Sequence, residues 1–562
     1  MTTTTPTTTR SGFQAPAREF HDPIVIPVTG SKPLPAWLGG VLYRMGPSKF
    51  DVGKVKIRHW FDGMTLVHRF EIKQGGVVEY RSRGVSKDIE AEITKNQSYS
   101  GFGPADPCKS VFLRAASAFK QVAFPSAPTS ALDRPVNINV TVTPTHRVVP
   151  IGAAPKHGAD EWHLIGKTDY GQLQLLDAET LEPVPSGSTH VGYDDPAEVR
   201  SRFNYRDINA EFIGQLSAAH HQSDPATGDH YNVTVDPAGQ APTLRVMHIN
   251  EHTGASRVLA TVSLRCAAYI HSFALTKSYV VLIEQPYYLG WYGAKALLAA
   301  SYVDALEWNP AMPTRMYLVD RVTGSVVTTV DSDTPFFYFH TVNAWDIAGA
   351  DGKPTAVVLD VCAADMPGAV RKLAVDSMCP ALRGSTGGGM TIADNELAAI
   401  RRYTIPVSAS VDSGSPAVVT YKQVSKPGAE LPRIHAGRAM TPTRYVYAML
   451  TSRSSQDGDG GQDTLFGAIA KIDTADGGSE RKWSAPNAYP GEPVFVPRPN
   501  GTNEDDGVVL SVVLDAVTET SFLLVLDASD FTEISRAQVP VAVPFGFHGS
   551  FLGAQASMHS FT

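Results

Sequence analysis

The sequence has little charge, no long apolar run and few cysteines, and each shortage excludes a class of protein. Charged residues make up 19% of the 562 positions, and the formal net charge is −8. No Lys/Arg-rich tract offers the basic face that phosphate neutralisation requires, so no nucleic-acid partner is expected. No apolar run approaches the ~20 residues that span a bilayer, so no transmembrane segment is expected. A small molecule is the expected partner.

The four cysteines indicate reduced thiols rather than a disulfide framework. Cys108, Cys266, Cys362 and Cys379 form no CxxC pair and no regular spacing, which is typical of a cytoplasmic protein. The first ten residues, MTTTTPTTTR, have no apolar stretch, so a signal peptide is not expected. We therefore predict a disordered Thr-rich tail over 1–19, one catalytic domain over 20–562 and a cytoplasmic location.

A recurring hairpin pattern predicts the fold class. Short apolar strands end in Asp or Asn, pass through a polar turn and continue as a second strand, at Asp177, Asn250, Asp320, Asp473 and Asp527. Further strands lie between these hairpins, at 356–362, 444–450 and 507–515. Such a series favours an all-β propeller of radially repeated blades. The alternatives are a large β-sandwich and two stacked barrels.

Helical patterns are sparse and are predicted to cover one face of the propeller. The segment 287–308 (YYLGWYGAKALLAASYVDALEW) and the segment 392–400 are the candidates. We expect cap insertions, including one at about 285–312, to form a lid over a site on the propeller axis. The aromatic residues of 287–308 leave two alternatives open, a helix packed on the protein body and a peripheral contact with lipid.

Four of the 17 histidines stand at the edges of apolar, strand-like segments and are candidate metal ligands. They are His220 in AHHQSDPATG, His271 in IHSFALT, His340 in FHTVNAWD and His548 in GFHGSF. Imidazole suits Fe, Cu, Ni and Zn, and no cysteine accompanies these residues as in a structural zinc site. In a propeller, strands that are distant in sequence meet on the axis, so one metal could contact all four.

The same segments carry a resemblance that extends over nearly the whole chain. Together with GVLYRMGP (40–47), HWFDGMTLVHRF (59–70), GPADPCKS (103–110), ELPRI (430–434), GEPVFVPRP (491–499) and DDGVVLSVVLDA (505–516), they form ten motifs in order. On these motifs the sequence resembles the carotenoid cleavage oxygenases, a family that includes stilbene- and phenylpropene-cleaving dioxygenases.

This resemblance implies a seven-bladed propeller with a small helical cap over an axial Fe(II) bound by the four histidines. In the HH pair, His220 matches the family pattern and His221 does not. The resemblance also implies that Glu430 and Glu492 orient the ligands, whereas Asp169 stands where many relatives have Glu. The implied reaction adds both atoms of O2, the co-substrate, to an alkene and gives two carbonyl products.

Lys167 favours a phenolic alkene as the substrate. It resembles a lysine with which stilbene-cleaving relatives bind a phenol, so a resveratrol-, lignostilbene- or isoeugenol-like alkene is expected. Phe61 and Phe337 are candidate ring contacts, and Tyr99 or Phe102 is the candidate for the accompanying tyrosine position. The alternative is an isoprenoid substrate, a carotenoid or apocarotenoid. A binding scaffold without chemistry and a metal-dependent isomerohydrolase stay open, and the chain is expected to be a monomer or weak dimer.

Overall fold

Seven mostly antiparallel sheets of four to six strands form the blades of a β-propeller, which confirms the predicted fold class. The computed structural model describes residues 10–99, 101–103, 136–145, 162–184, 202–204, 216–237, 241–251, 253, 255–293, 295, 301–379, 390–407, 416–452 and 464–554. Statements about the structure below refer to these residues.

The first and last blades exchange strands, which closes the ring. The C-terminal strand Gly549–Gly553 is the innermost strand of blade 1, where it pairs with Gly40–Lys49. The N-terminal strand Val28–Gly30 is the outermost strand of blade 7, where it pairs with Glu533–Val539. Both of these strands are held by main-chain hydrogen bonds, and they close the ring.

The strands of each blade follow one another from the rim to the axis. Blade 1 contains Ile24–Ile26, Val78–Gly84, Met64–Ile72, Gly40–Lys49 and Gly549–Gly553; blade 2 contains Arg202–Asn204, Gln172–Asp177, His163–Lys167 and Thr141–Thr145; blade 3 contains Ser256–Ser263, Thr243–Ile249, His230–Asp236, Leu216–Ser217 and Gln222–Ser223. Blade 4 contains Ala417–Val419, Val326–Ser332, Arg315–Asp320, Tyr279–Glu284 and Ala274–Leu275; blade 5 contains Tyr421–Gln423, Ala399–Pro406, Pro354–Ala364 and Phe337–Ala348. Blade 6 contains Ser479–Trp483, Thr464–Asp473, Tyr445–Ser452 and Ala429–Arg433; blade 7 contains Val28–Gly30, Glu533–Val539, Thr520–Asp527, Gly507–Asp515, Ala488–Pro490 and Val494–Pro497. Two small hairpins, Asp51–Val52 with Val55–Lys56 and Tyr287–Leu289 with Leu306–Trp308, lie outside the blades.

The predicted Asp-capped turns supply many of the blade hairpins. Asp320 Oδ1 accepts hydrogen bonds from the backbone N–H groups of Val322 and Thr323, and the strands on either side pair with each other. Asp177 caps its turn in the same way, but the residues directly after the turn form the isolated bridge between Leu176 and Pro183, and the next strand of the blade is Arg202–Asn204. The short Asp carboxylate accepts hydrogen bonds from backbone N–H groups that would otherwise have no partner in the turn.

The core consists of the apolar faces that neighbouring blades press together. Val233 and Val246 of blade 3 pack with Val280 and Leu282 of blade 4 in one such layer. Central strands such as Gly507–Asp515 are buried on both faces, so they are apolar at nearly every position rather than at alternate ones. Each buried Val or Leu contributes ~1.5–3 kcal/mol, and this packing fixes the inner strands that carry the site.

Helices are few among the described residues, and the structure corrects both predicted helical segments. Within those residues the α-helices are Lys87–Asn96, Tyr302–Ala305, Gly368–Lys372 and Val375–Met378, and the 3-10 turns are Arg10–Phe13, Trp60–Asp62, Gly290–Gly293, Asp394–Glu396 and Ala436–Arg438. The continuous helix predicted over 287–308 is wrong at both ends, because Tyr287–Leu289 and Leu306–Trp308 pair as strands. Trp291 has φ 52°, which interrupts a right-handed helix. The segment 392–400 holds one 3-10 turn, and a strand begins at Ala399.

The ordered chain begins earlier than the sequence boundary at residue 20. Phe13, in the turn Arg10–Phe13, is buried between the rings of Phe50 and Phe545. The rest of the predicted disordered tail, residues 1–9, lies outside the described residues. Among the helices of the described ranges, none is long and apolar enough to cross a bilayer. The oligomeric state, the lipid contact and the cytoplasmic location stay predictions.

Candidate metal centre

Four blades each bring one of the predicted histidines to a common point. One nitrogen from each of His220, His271, His340 and His548 lies within 4.8 Å of the others. The Nε2 atoms of His340 and His548 are 3.2 Å apart, and the ring centroids of His220 and His548 are 4.4 Å apart. His340 lies on the inner strand of blade 5, and the other three stand beside the inner strands of blades 3, 4 and 1. The propeller axis therefore assembles a cluster from residues more than 300 positions apart.

Carboxylates hold three of the four imidazoles by their Nδ1 atoms. His271 Nδ1 lies 2.8 Å from Asp169 Oδ1, His340 Nδ1 lies 2.6 Å from Glu430 Oε2, and His548 Nδ1 lies 2.7 Å from Glu492 Oε1. With the proton on Nδ1, the lone pair of each ring is on Nε2, which faces the cluster. The structure thus brings together all three carboxylates that the resemblance implied, including the shorter Asp169.

The fourth imidazole shows that the cluster fits a metal ion. His220 Nε2 is buried and has no hydrogen-bond partner among the described residues. Burial, with the other imidazoles nearby, holds the pKa of His220 well below its usual value, so its ring is neutral. Burial likewise lowers the pKa of His548 to about 3. A buried lone pair without a donor is costly, and four neutral nitrogen donors suit a divalent transition metal such as iron.

Glu492 is the most strongly held of the three carboxylates. Arg44 Nη1 donates to Oε2 at 2.6 Å, Arg433 Nε donates to Oε1 at 2.9 Å, and the backbone N–H of Gly549 donates to Oε2 at 2.9 Å. Burial would raise the pKa of this carboxyl, but Arg433, His548 and Arg44 together lower it well below its usual value. Glu492 therefore stays charged and also compensates two guanidinium groups.

Tyr269 is a contact of the site that the sequence reasoning missed. Its hydroxyl donates to Asp169 Oδ2 at 2.6 Å and lies 3.3 Å from His271 Nδ1. Asp169 thus accepts from both Tyr269 and His271, and this second donor fixes a side chain one methylene shorter than Glu. The signal was present in the spacing, because Tyr269 and His271 are two residues apart next to the strand Ala274–Leu275.

An apolar cavity of about 110 Å³ borders the cluster on one side. His271, His340 and His548 line it together with aromatic and aliphatic side chains, among them Trp60, Phe61, Phe337, Phe339, Leu373, Ile392, Leu431, Met449 and Phe547. Phe61 and Phe337, the two predicted ring contacts, both lie on this wall. Phe339, next to His340, is a further ring that the sequence reasoning did not single out; its centroid is 5.3 Å from that of His271.

Phe102 and Tyr99 lie behind this wall and are not among the lining residues. The Phe102 ring packs 5.0 Å from the ring of Phe61, and its backbone N–H donates to Asp62 Oδ1 at 2.7 Å. Tyr99 hydrogen-bonds the same carboxylate, and burial raises the pKa of Asp62 to about 6. Phe102 therefore packs against Phe61, and Tyr99 contacts the carboxylate of the next residue, Asp62.

Lys167 is buried, but it is not among the residues that line the apolar cavity. Its ammonium donates to Thr143 Oγ1 at 3.0 Å, and its charge acts on His221 rather than on the four-histidine cluster. Burial lowers the pKa of Lys167 to about 7. The structure thus does not bring Lys167 to the wall on which Phe61 and Phe337 lie.

A second cavity, of about 730 Å³, borders the cluster from another side, and we call it the axial cavity. His220, His340 and His548 line its inner end, together with Glu492 and Arg433. Polar side chains, including His221, Gln222, Ser223, Asn343 and His435, line its wall. Exposed residues such as Gln74, Gly437 and Asn500 line its outer end, so it opens to solvent.

Comparisons with known proteins agree with this fold. The family model of the retinal pigment epithelial membrane protein matches residues 13–553. A carotenoid dioxygenase of Neurospora crassa is 31% identical over 95% of this chain and 89% of its own length. A torulene dioxygenase of Fusarium fujikuroi is 29% identical over 95% of this chain and 92% of its own. The crystal structure of cobalt-substituted Synechocystis ACO covers 97% of this chain and 98% of its own, with 23% identity and a TM-score of 0.71.

A seven-bladed propeller with four histidines on its axis defines a class of metal-dependent oxygenases. The chain belongs to the carotenoid cleavage oxygenase family, and it is an oxidoreductase that incorporates O2 into its substrate.

Proposed function

We propose that this chain holds Fe(II) at the four-histidine cluster and cleaves a carbon–carbon double bond of a carotenoid or apocarotenoid. One O2 adds across the double bond, and each carbon of the broken bond keeps one oxygen atom as a carbonyl. The observation that carries the proposal is the aromatic wall of the apolar cavity beside His271, His340 and His548. A polyene matches such a surface, and the relatives named as carotenoid and torulene dioxygenases support the same substrate class.

Each group of residues has a defined part in this reaction. An ion held by His220, His271, His340 and His548 would supply the activation of O2. Asp169, Glu430 and Glu492 keep the Nε2 lone pairs pointed at one position, so little reorganisation accompanies metal binding. Phe61 and Phe337 exclude water and restrict the alkene to a small range of positions beside the cluster.

The phenolic reading, with a resveratrol-, lignostilbene- or isoeugenol-like substrate, has less support. It depends on Lys167, which bonds to Thr143 and is not among the residues bordering the apolar cavity. Tyr338, a phenol on the cavity wall, donates its hydroxyl to Ser272 O at 2.9 Å. Among the described lining residues there is no lysine, so the wall favours an isoprenoid alkene over a phenol.

The test is anaerobic loading with Fe(II), followed by exposure to 18O2 with an apocarotenal, resveratrol and isoeugenol in parallel. We expect cleavage of the apocarotenal to two carbonyl products, each with one 18O, and no products from His271→Ala. Cleavage of only the phenols, with loss in Lys167→Met, would establish the phenolic alternative instead. A chain that binds iron fully and cleaves none of the three substrates would refute the proposed substrate class.

A further inference from the structure

We propose that divalent metal ions reach the four-histidine cluster through the axial cavity and not through the apolar cavity. The inference goes beyond the cleavage reaction and does not depend on which alkene is cleaved. It assigns the axial cavity a ligand class, hydrated divalent cations in transit, and it separates the path of the metal from the side on which the substrate is expected.

The two cavities meet the cluster on different sides. His340 and His548 border both cavities, whereas His271 borders only the apolar cavity and His220 only the axial cavity. His220 Nε2 is the buried nitrogen without a partner, so the axial side presents a donor that is not already hydrogen-bonded. An ion that enters from the axial cavity meets this nitrogen together with His340 and His548.

Hydration decides between the two routes. A divalent cation that loses its water in an apolar space loses a very large solvation free energy. The wall of the apolar cavity is mostly aromatic and aliphatic, and its carboxylates, on Asp169, Glu430 and Glu396, already pair with His271, His340 and Lys372. The axial cavity, at about 730 Å³ against about 110 Å³ for the apolar cavity, leaves more room for an ion that keeps its waters as it moves inward. Gln222, Ser223 and His221 supply polar atoms along its wall.

Charge does not close the axial route. Arg433 borders the cavity, but its guanidinium donates to Glu492 at 2.9 Å and to the backbone carbonyl of Gly549. Glu492 therefore offsets part of the positive charge at the point where the cavity reaches the cluster. A charge added at the cavity mouth should then change the rate at which a dication enters.

Ala436 is a suitable position for that added charge. It is half-buried, borders the axial cavity and lies in the 3-10 turn Ala436–Arg438. A single charge about 10 Å from a dication in a water-like medium changes its local concentration about fourfold. We expect Ala436→Lys to slow Co(II) uptake by the metal-stripped full-length chain about fourfold and Ala436→Glu to accelerate it about fourfold. The difference should disappear in 1 M salt.

Two variants serve as controls. Ala398→Trp fills space in the apolar cavity, and Val517→Lys adds the same charge at a position that is 72% exposed and borders neither cavity. Both should take up Co(II) at the wild-type rate, and every variant should end at one ion per chain. Circular dichroism confirms folding, and Ala439→Lys repeats the charge test at a second lining position. Equal uptake rates in wild type and the Ala436 pair, or slower uptake in Ala398→Trp than in Ala436→Lys, would overturn the proposal.

Discussion

Glu492 and Glu430 hold equivalent ligands, but neutralising each of them should have different consequences. Both accept a hydrogen bond from the Nδ1 of a clustered histidine. Glu492 is almost fully buried and also pairs with Arg44 and Arg433, whereas Glu430 is 26% exposed at its side chain. No Arg or Lys forms an ion pair with Glu430 within the described ranges. Substitution by Gln keeps the shape of each side chain and removes its charge.

The magnitudes follow from these contacts. Loss of a carboxylate that orients a metal-bound imidazole costs about 10- to 100-fold in metal affinity, so both variants should bind Fe(II) more weakly by this factor. Glu492→Gln also leaves the buried guanidinium of Arg44 and the half-buried guanidinium of Arg433 without their counter-ion, which costs ~3–5 kcal/mol of folding free energy. For Glu430→Gln we expect a loss of folding free energy below ~1.5 kcal/mol. Only the hydrogen bond from His340 Nδ1 is affected, because its acceptor changes from a charged carboxylate to a neutral amide oxygen.

Two assays separate the effects. Competition with a coloured chelator gives the metal affinity, and urea unfolding of the metal-free chain gives the stability. We expect equal weakening of metal binding in the two variants and a clearly larger stability loss in Glu492→Gln than in Glu430→Gln. Equal stability in both metal-free variants would show that Glu492 does not compensate Arg44 and Arg433, and the account of this carboxylate would be wrong.

Three further predictions concern single side chains around the cluster. Tyr269→Phe removes one of the two donors to Asp169 and should weaken metal binding about tenfold, with the purified chain unfolding at an unchanged urea concentration. His271→Ala should abolish metal binding by elemental analysis, whereas His221→Ala should keep most of it; equal loss in both would mean that the wrong member of the HH pair was chosen. Burial lowers the pKa of Lys167 from 10.5 to about 7. Between these two pH values the unfolded lysine is charged and the folded one is neutral, so the wild-type chain loses folding free energy as the pH falls through this range. Lys167→Met should therefore gain stability relative to wild type as pH falls from 10.5 towards 7, by at most about 5 kcal/mol, and level off below 7; a constant difference across this range contradicts that reasoning.

The sequence predicted the cluster well because each histidine stands in an ordered motif. A propeller brings its inner strands to one axis, so the chain position of His220, His271, His340 and His548 was enough to expect their meeting. The carboxylates Glu430, Glu492 and Asp169 were predicted from the resemblance to the carotenoid cleavage oxygenases. Tyr269 was missed because it became meaningful only once the short side chain of Asp169 was seen to need a second donor.

The substrate residues were harder to predict, because side-chain direction on a wall depends on packing rather than on spacing. Phe61 and Phe337 face the apolar cavity, whereas Phe102 packs behind it and Lys167 bonds to Thr143. The helix predicted over 287–308 was also wrong. Its Ala and Leu residues indicate a helix, but Trp291 has a positive φ and the two aromatic ends of the segment pair as the strands of a hairpin. Tertiary contacts override local propensity in both cases.

X-ray absorption on the full-length chain reconstituted with Fe(II) tests the metal centre most directly. The geometry predicts one iron per chain with four nitrogen neighbours and no sulfur neighbour. The scattering from more distant atoms should show the pattern typical of imidazole rings. Removal of His548 should reduce the nitrogen count and the bound iron together. An iron with two or fewer imidazole neighbours, or one that persists unchanged in the His548→Ala chain, would contradict the four-histidine centre.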